Sequence, residues 1–207
     1  MSLLLYSGQV LANPARDCPQ VVSNLERLAC FDQAAGTPVH VPRQAWSAPE
    51  QEAPSLLSVM VNEARRAPDD LTFTLSEQGN SDAQGQKRLV ISAPAIAATE
   101  PRPFLAISCI ENISRLQLLI GEPIDVGRVT VQLRTELQST AALPWQVMEN
   151  GQVLDAGRGL PAIEKIKALI GAHRIHVVSD DPVVDGLTFD AQGLDPLIEQ
   201  ARAACRW

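Results

Sequence analysis

The residues of this chain whose types and spacing suit chemistry are its four cysteines, its three histidines and a few clustered acids. Cys18 and Cys30 lie in the stretch CPQVVSNLERLACFD, residues 18–32. On one unbroken helix the two would sit well beyond the roughly 7 Å between Cα atoms that a disulfide spans. Ser23-Asn24-Leu25-Glu26 interrupts such a helix. It has the form of a capping box, in which the Ser23 hydroxyl accepts from the Glu26 backbone N–H and Glu26 reaches back to that of Ser23. With a break at Ser23, residues 18–22 run back along the first turns of the helix and bring the sulfurs together. The expectation is a Cys18–Cys30 bridge; the alternative is two buried free thiols in a helical segment.

His173-x-x-His176 is the best metal candidate, with Asp180, Asp181 and Asp185 following as oxygen donors. Residues three apart on a strand point to opposite faces, so the pair chelates poorly. An exposed edge strand and an acidic loop account for the same residues. Asp69-Asp70 are paired carboxylates in a turn, where Asp is common because its side chain bonds the local backbone. Ser108 precedes Cys109 with no histidine placed to activate it. The chain holds no GxSxG elbow, no HExxH, no phosphate loop and no dinucleotide fingerprint. No catalytic residue, metal site or cofactor is expected.

The elements that position these residues follow from periodicity. A helix from Asn24 to about Ala35 carries Leu25, Leu28 and Phe31 on one side and ends at Gly36, suited to a left-handed C-terminal position. Residues 37–55 hold four prolines and no sustained period, the mark of an extended linker. Trp46, its one large apolar residue, is expected to dock onto the main domain or else to contact a partner.

From residue 56 the chain reads as one α+β domain. Leu57, Val59 and Val61 alternate, as do Leu71, Phe73 and Leu75, which predicts a strand pair. Residues 89–92, 104–111, 115–120 and 128–134 are further strands; in the last, Val129, Val131 and Leu133 face in while Thr130, Gln132 and Arg134 face out. Residues 144–147 and 152–154 flank Glu149-Asn150-Gly151, a hairpin signal. Residues 161–170 form a helix with Pro161 at its start and Gly171 after its end. Residues 173–178 are a late strand, and 187–189 a short edge strand. The terminal helix, 194–204, sets Leu194, Leu197, Ile198, Ala201 and Cys205 on one face. Cys205 thus faces the sheet, and Cys109 shares a strand face with Leu105 and Ile107. A Cys109–Cys205 bridge closes a long loop, worth about 4–5 kcal/mol in the chain-entropy model.

The expected fold class is therefore α+β: a mostly antiparallel sheet with a C-terminal helix packed on it, preceded by a disulfide-bridged helical segment and a Pro-rich linker. The boundaries are 1–12, 13–36, 37–55 and 56–207. Residues 1–12, MSLLLYSGQVLA, read as a truncated signal segment, with small residues at the −3 and −1 places before Asn13. The alternative is a frayed end of a cytosolic chain. An even number of cysteines fits export to an oxidising compartment. Aromatics make up only 4%, so the core must be built from Leu, Ile, Val and Ala. The net charge of −7 argues against a phosphate-tracking surface, hence against a nucleic-acid partner. No run is long and apolar enough to span a membrane, so no stable membrane insertion is expected.

Arg27-Leu28-Ala29-Cys30-Phe31-Asp32 looks like the mature N-terminus of several Gram-negative envelope proteins. The order continues with the Pro-rich link, Asp69-Asp70 before a strand, Arg102-Pro103 before the strand bearing Cys109, and Asn112-Ile113-Ser114 before the next. Trp145 opens a hairpin, and Phe189-Asp190 and Gly193-Leu194 lead into a helix ending Cys205-Arg206-Trp207. Over roughly residues 16–207 this resembles the VasI/TagO family of type VI secretion system-associated proteins. Phe31 stands where that family more often shows Tyr, and the hairpin around Glu149 diverges. The resemblance implies a periplasmic accessory of the secretion machine and brings no catalytic residues with it. The expected function is non-enzymatic binding of a protein component of the apparatus or the cell envelope, through the linker with Trp46 or through an edge strand. The alternatives are an envelope hydrolase acting on peptidoglycan or lipid, and a secreted effector or its immunity partner.

Overall fold

The structure, a computed structural model, describes residues 14–37, 55–67, 69–78 and 88–207. The chain divides into two units, Met1–Gln51 and Glu52–Trp207. The expected signal segment 1–12 and nearly all of the linker, Trp46 included, lie outside the described residues.

In the first unit a 3-10 turn, Pro14–Gln20, precedes helix α1, Asn24–Ala35. Ser23 is the N-cap: its backbone is extended and its hydroxyl accepts the Glu26 N–H at 3.4 Å. Gly36 ends the helix at φ 66°, a conformation that costs a residue without Cβ little. The 3-10 turn folds back on α1, and Cys18 and Cys30 are joined with their Cα atoms 5.5 Å apart. Arg27 reinforces the reversal by donating to the Val21 carbonyl at 3.1 Å.

The second unit opens with a departure from the sequence reading. Residues expected as a strand form helix α2, Ser55–Glu63. Apolar residues fill Leu56, Leu57, Val59, Met60 and Val61, so a period of 2 and a period of 3.6 both fit. The helix buries Val59 and Asn62 and leaves Leu57, Met60 and Val61 outward. The strand expected at Leu71 begins only at Thr74, because Arg66 holds the preceding loop by donating to the carbonyls of Asp70 and Thr72.

Among the described residues nine antiparallel strands follow. They are β1 (Thr74–Gln78), β2 (Arg88–Pro94), β3 (Phe104–Ile110), β4 (Ile113–Leu119), β5 (Arg128–Arg134), β6 (Leu143–Met148), β7 (Val153–Arg158), β8 (Arg174–Ser179) and β9 (Thr188–Asp190). Helix α3, Leu160–Lys167, lies between β7 and β8, and α4, Leu194–Cys205, closes the chain. The sheet order is β1-β2-β3-β4-β7-β6-β5-β8-β9, in which β4 to β7 make a Greek key. The two-residue turn between β3 and β4 is Glu111-Asn112, both at positive φ, as the twist of a tight hairpin requires. Just past β2, the Ile96 N–H bonds the Thr188 carbonyl at 2.8 Å, so the curled sheet brings its β9 edge back against the β2 side.

One face of this sheet forms the core. Ile91, Leu105, Ile107, Leu118, Val131, Trp145 and Phe189 are buried there with Ile166 of α3 and Ile198 of α4. Cys109 and Cys205 are joined across it, fastening α4 to β3 with Cα atoms 5.7 Å apart. Only Trp145 and Phe189 are aromatic among the largest fully buried side chains; the rest are Leu and Ile, as the composition demands.

Candidate interaction surface on the outer face of the sheet

The residues singled out for chemistry are dispersed by the fold. His173 precedes β8, while His176 sits on it and shares a hydrogen bond with the Thr188 hydroxyl at 3.1 Å. The nearby acids are spent on backbone. Asp180 accepts from the N–H of Thr130 at 2.8 Å, Asp181 from Val183 at 2.9 Å and Asp185 from Ser179 at 2.9 Å. Hydrogen bonding from Thr130, side chain and backbone, holds the Asp180 carboxyl below the ordinary range. Asp70 accepts from the hydroxyl and N–H of Thr72. Among the described residues no group of three or more His, Cys, Asp or Glu is placed to hold a metal ion. Both cysteine pairs are oxidised, which removes thiolate chemistry.

What the fold does assemble lies on the sheet face opposite the core. Strand register sets Ser92, Ala106, Gln117, Asp155, Gln146 and Arg128 side by side across six strands. Gln117 donates to Asp155 Oδ2 at 2.8 Å, and Asp155 Oδ1 accepts the Gly157 N–H at 2.7 Å. Both side chains are buried and paired, as a low dielectric demands. The neighbouring row, Phe104, Leu119, Val153 and Met148, is apolar and packs under Leu56 and Val59 of α2. A cleft of about 260 Å³ opens beside it, lined by Leu56, Met60, Arg102, Phe104 and Ile120 among others.

A buried polar cluster fixes α2 on this face. Glu63 and Arg66 pair, with only 8% of each side chain exposed. Ser92 Oγ donates to Glu63 and accepts from Asn62 Nδ2, the latter at 2.7 Å; Arg66 also reaches the Ser92 carbonyl at 2.8 Å. These residues carried no motif. Their signal was weak: an Asn-Glu pair at the end of an apolar run, followed three residues later by Arg66.

Toward β5, β7 and β8 the outer face changes character. Arg128, Thr130, Gln132 and Arg134 point outward from β5, as their alternation with Val129, Val131 and Leu133 predicted. Register places His176 opposite Arg134, and Arg174 opposite Asp190. A shift in register between β4 and β7 accommodates Gly157 at φ 109° and sets Arg158 directly opposite Arg115. Arg128, Arg134, Arg158 and Arg174 are all exposed. The grouping was not visible in the sequence, because it depends on which strands become neighbours.

No curated protein matched the chain, and no solved structure did. A family model described as type VI secretion system VasI, EvfG matches residues 17–207. That stretch takes in both disulfides, the whole nine-stranded sheet and α4. The chain belongs to the VasI family of type VI secretion system proteins.

Proposed function

We propose that the protein is a non-enzymatic accessory of its secretion system, working in the periplasm by binding a protein of the apparatus or the cell envelope. The observation that carries this reading is the form of the first unit. A 12-residue helix is braced by a disulfide, yet α1 buries none of its side chains. Val22, Leu25, Leu28 and Phe31 are 93%, 80%, 58% and 41% exposed. Rigidifying a short helix that presents apolar residues at i, i+3 and i+6 suits insertion into a partner's groove, because the ordering entropy is already spent. Exposed apolar side chains gathered this way mark interaction sites rather than ordinary surface. The two disulfides support an oxidising compartment.

Site-specific photo-crosslinking tests the reading. A photoreactive residue at Leu25 or Leu28, in cells carrying the full secretion system, is expected to trap one envelope or apparatus protein. The same residue at Glu199 of α4 is expected not to. Absence of a crosslink from both helix positions would overturn the binding role. Turnover of purified sacculi by the protein would replace it with a hydrolase. Fractionation with thiol labelling checks the compartment: the protein is expected in the periplasmic fraction with no free thiol.

A further inference from the structure

We propose that the Cys18–Cys30 disulfide is a redox switch for α1: closed, it holds the helix and its apolar face; opened, it lets the helix melt. The proposal rests on the reading of α1 as the binding element and names what regulates it. Cys18 is the one buried residue among the described residues 17–37, at 0% exposure. α1 buries none of its own side chains. Among the described residues none of the first unit belongs to either hydrophobic cluster. In this unit the bridge takes the place of a core.

Little else keeps α1 helical. Isolated helices shorter than about 12–15 residues are marginal in water, because the first turn costs more entropy than its one hydrogen bond returns. α1 has 12 residues. No described residue of α1 forms an ion pair. Apart from the bridge, its described ties to the preceding segment are the Ser23 cap at 3.4 Å and the bond from Arg27 to the Val21 carbonyl at 3.1 Å. The bridge spans 12 positions. Closing a loop of about that size shifts a folding equilibrium on the order of a hundredfold in the chain-entropy model. Only the helical form sets Leu25, Leu28 and Phe31 along one side, and apparent affinity scales with the fraction of chains that hold the competent form.

Access makes the switch selective. Cys30 is half-buried, whereas Cys109 and Cys205 are 1% and 7% exposed. The co-reactant is a dithiol oxidoreductase. One of its thiolates attacks Cys30 Sγ, the S–S bond breaks, and Cys18 leaves as a thiolate. Its second thiolate attacks the mixed disulfide and releases Cys30. Two electrons have passed to Cys18 and Cys30, the oxidoreductase is left as a disulfide, and the two new thiols take up the protons that the dithiol gave up. The reverse sequence, from an oxidoreductase in its disulfide form, closes the bridge and folds α1. A reduced chain thus carries no preformed binding face and acquires one on oxidation.

The test compares amide hydrogen exchange in the oxidised full chain and in a Cys18→Ser, Cys30→Ser variant that keeps Cys109–Cys205. Residues 25–35 are expected to exchange faster in the variant by roughly tenfold or more, with the strands of the second unit unchanged. The parent, reduced with dithiothreitol until alkylation labels Cys18 and Cys30 alone, is expected to match the variant, and glutathione disulfide to restore protection. Equal exchange of residues 25–35 in both proteins would overturn the proposal, since α1 would then stand without its bridge. So would a matching loss of protection across the strands, which would make the bridge a fastening of the whole fold. This measurement needs no partner, so it decides the switch separately from the binding role. A photoreactive residue at Leu25 in cells reads the consequence: its crosslink is expected to fall roughly tenfold in the variant. An undiminished crosslink would overturn the switch, whereas a parent that gives no crosslink counts against the binding role alone, the exchange having decided the switch.

Discussion

Glu149 and Ser55 meet across 94 positions of sequence: the carboxylate, in the turn between β6 and β7, accepts the Ser55 N–H at 2.8 Å. Its other oxygen accepts the Leu56 N–H at 3.1 Å. These are two of the N–H groups that a helix start leaves without an internal partner. A carboxylate there also faces the positive end of the helix dipole. Glu149→Ala is expected to cost about 1–2 kcal/mol, with Glu149→Gln costing less because it keeps an acceptor. Urea unfolding measures the cost, and amide exchange at Ser55 and Leu56 should accelerate in the alanine variant. Unchanged exchange at both amides would show that the cap does not hold α2.

That contact also marks where the sequence stops being readable. Glu149-Asn150-Gly151 announced a hairpin, and the hairpin is there, with Glu149, Asn150 and Gly151 all at positive φ. Gly151 is required on a second count: a Cβ would stand 2.6 Å from the Ile124 carbonyl oxygen. Nothing local says that the turn's acid reaches a helix far back in the chain. The same blindness explains α2, whose nearly continuous apolar residues fit two periods until tertiary contacts choose one. Strands such as β5, with a clean alternation, were legible to the residue, and α4 nearly so. The outer sheet face was not, since Gln117 with Asp155 and Arg134 with His176 are brought together by register alone.

The two disulfides are expected to differ in consequence. Cys109–Cys205 spans 96 positions and both its residues are buried. Removing it as Cys109→Ser with Cys205→Ser should cost about 4–5 kcal/mol in the chain-entropy model. Cys18–Cys30 spans 12 positions, and Cys30 is only half-buried. Graded reductant should therefore open Cys18–Cys30 first, leaving the melting of the second unit in place. Mass spectrometry after alkylation reads the order. Simultaneous opening would mean that burial of Cys109 gives no protection.

Acid is expected to weaken the segment leading into β1. The Thr72 hydroxyl and N–H, then the Arg66 charge, hold the Asp70 carboxyl below its ordinary value of 3.8. In the folded state Asp70 stays ionised where the unfolded chain already takes up a proton. The stability this carries is complete above the unfolded value and is lost as pH falls through the folded one. Stability curves of parent and Asp70→Asn should run parallel between about pH 5 and 7 and converge below about pH 4. Curves that stay parallel to the lowest pH would show that Asp70 is not a source of the acid sensitivity.

The pair Glu63–Arg66 offers the sharpest energetic test, because its members are mutually dependent. Each side chain is 8% exposed, and the two share Ser92: Glu63 takes its hydroxyl proton while Arg66 donates to its carbonyl. Arg66→Met leaves a buried carboxylate without its counter-charge and releases the carbonyls of Asp70 and Thr72. Breaking one member of a buried pair costs about 3–5 kcal/mol, whereas removing both costs far less than the sum. Glu63→Gln combined with Arg66→Met should therefore be more stable than Arg66→Met alone. Chemical denaturation of the four proteins in the cycle decides it. Additive losses would mean that the two groups hold α2 independently, and that the cluster around Ser92 is a set of separate hydrogen bonds rather than one coupled network.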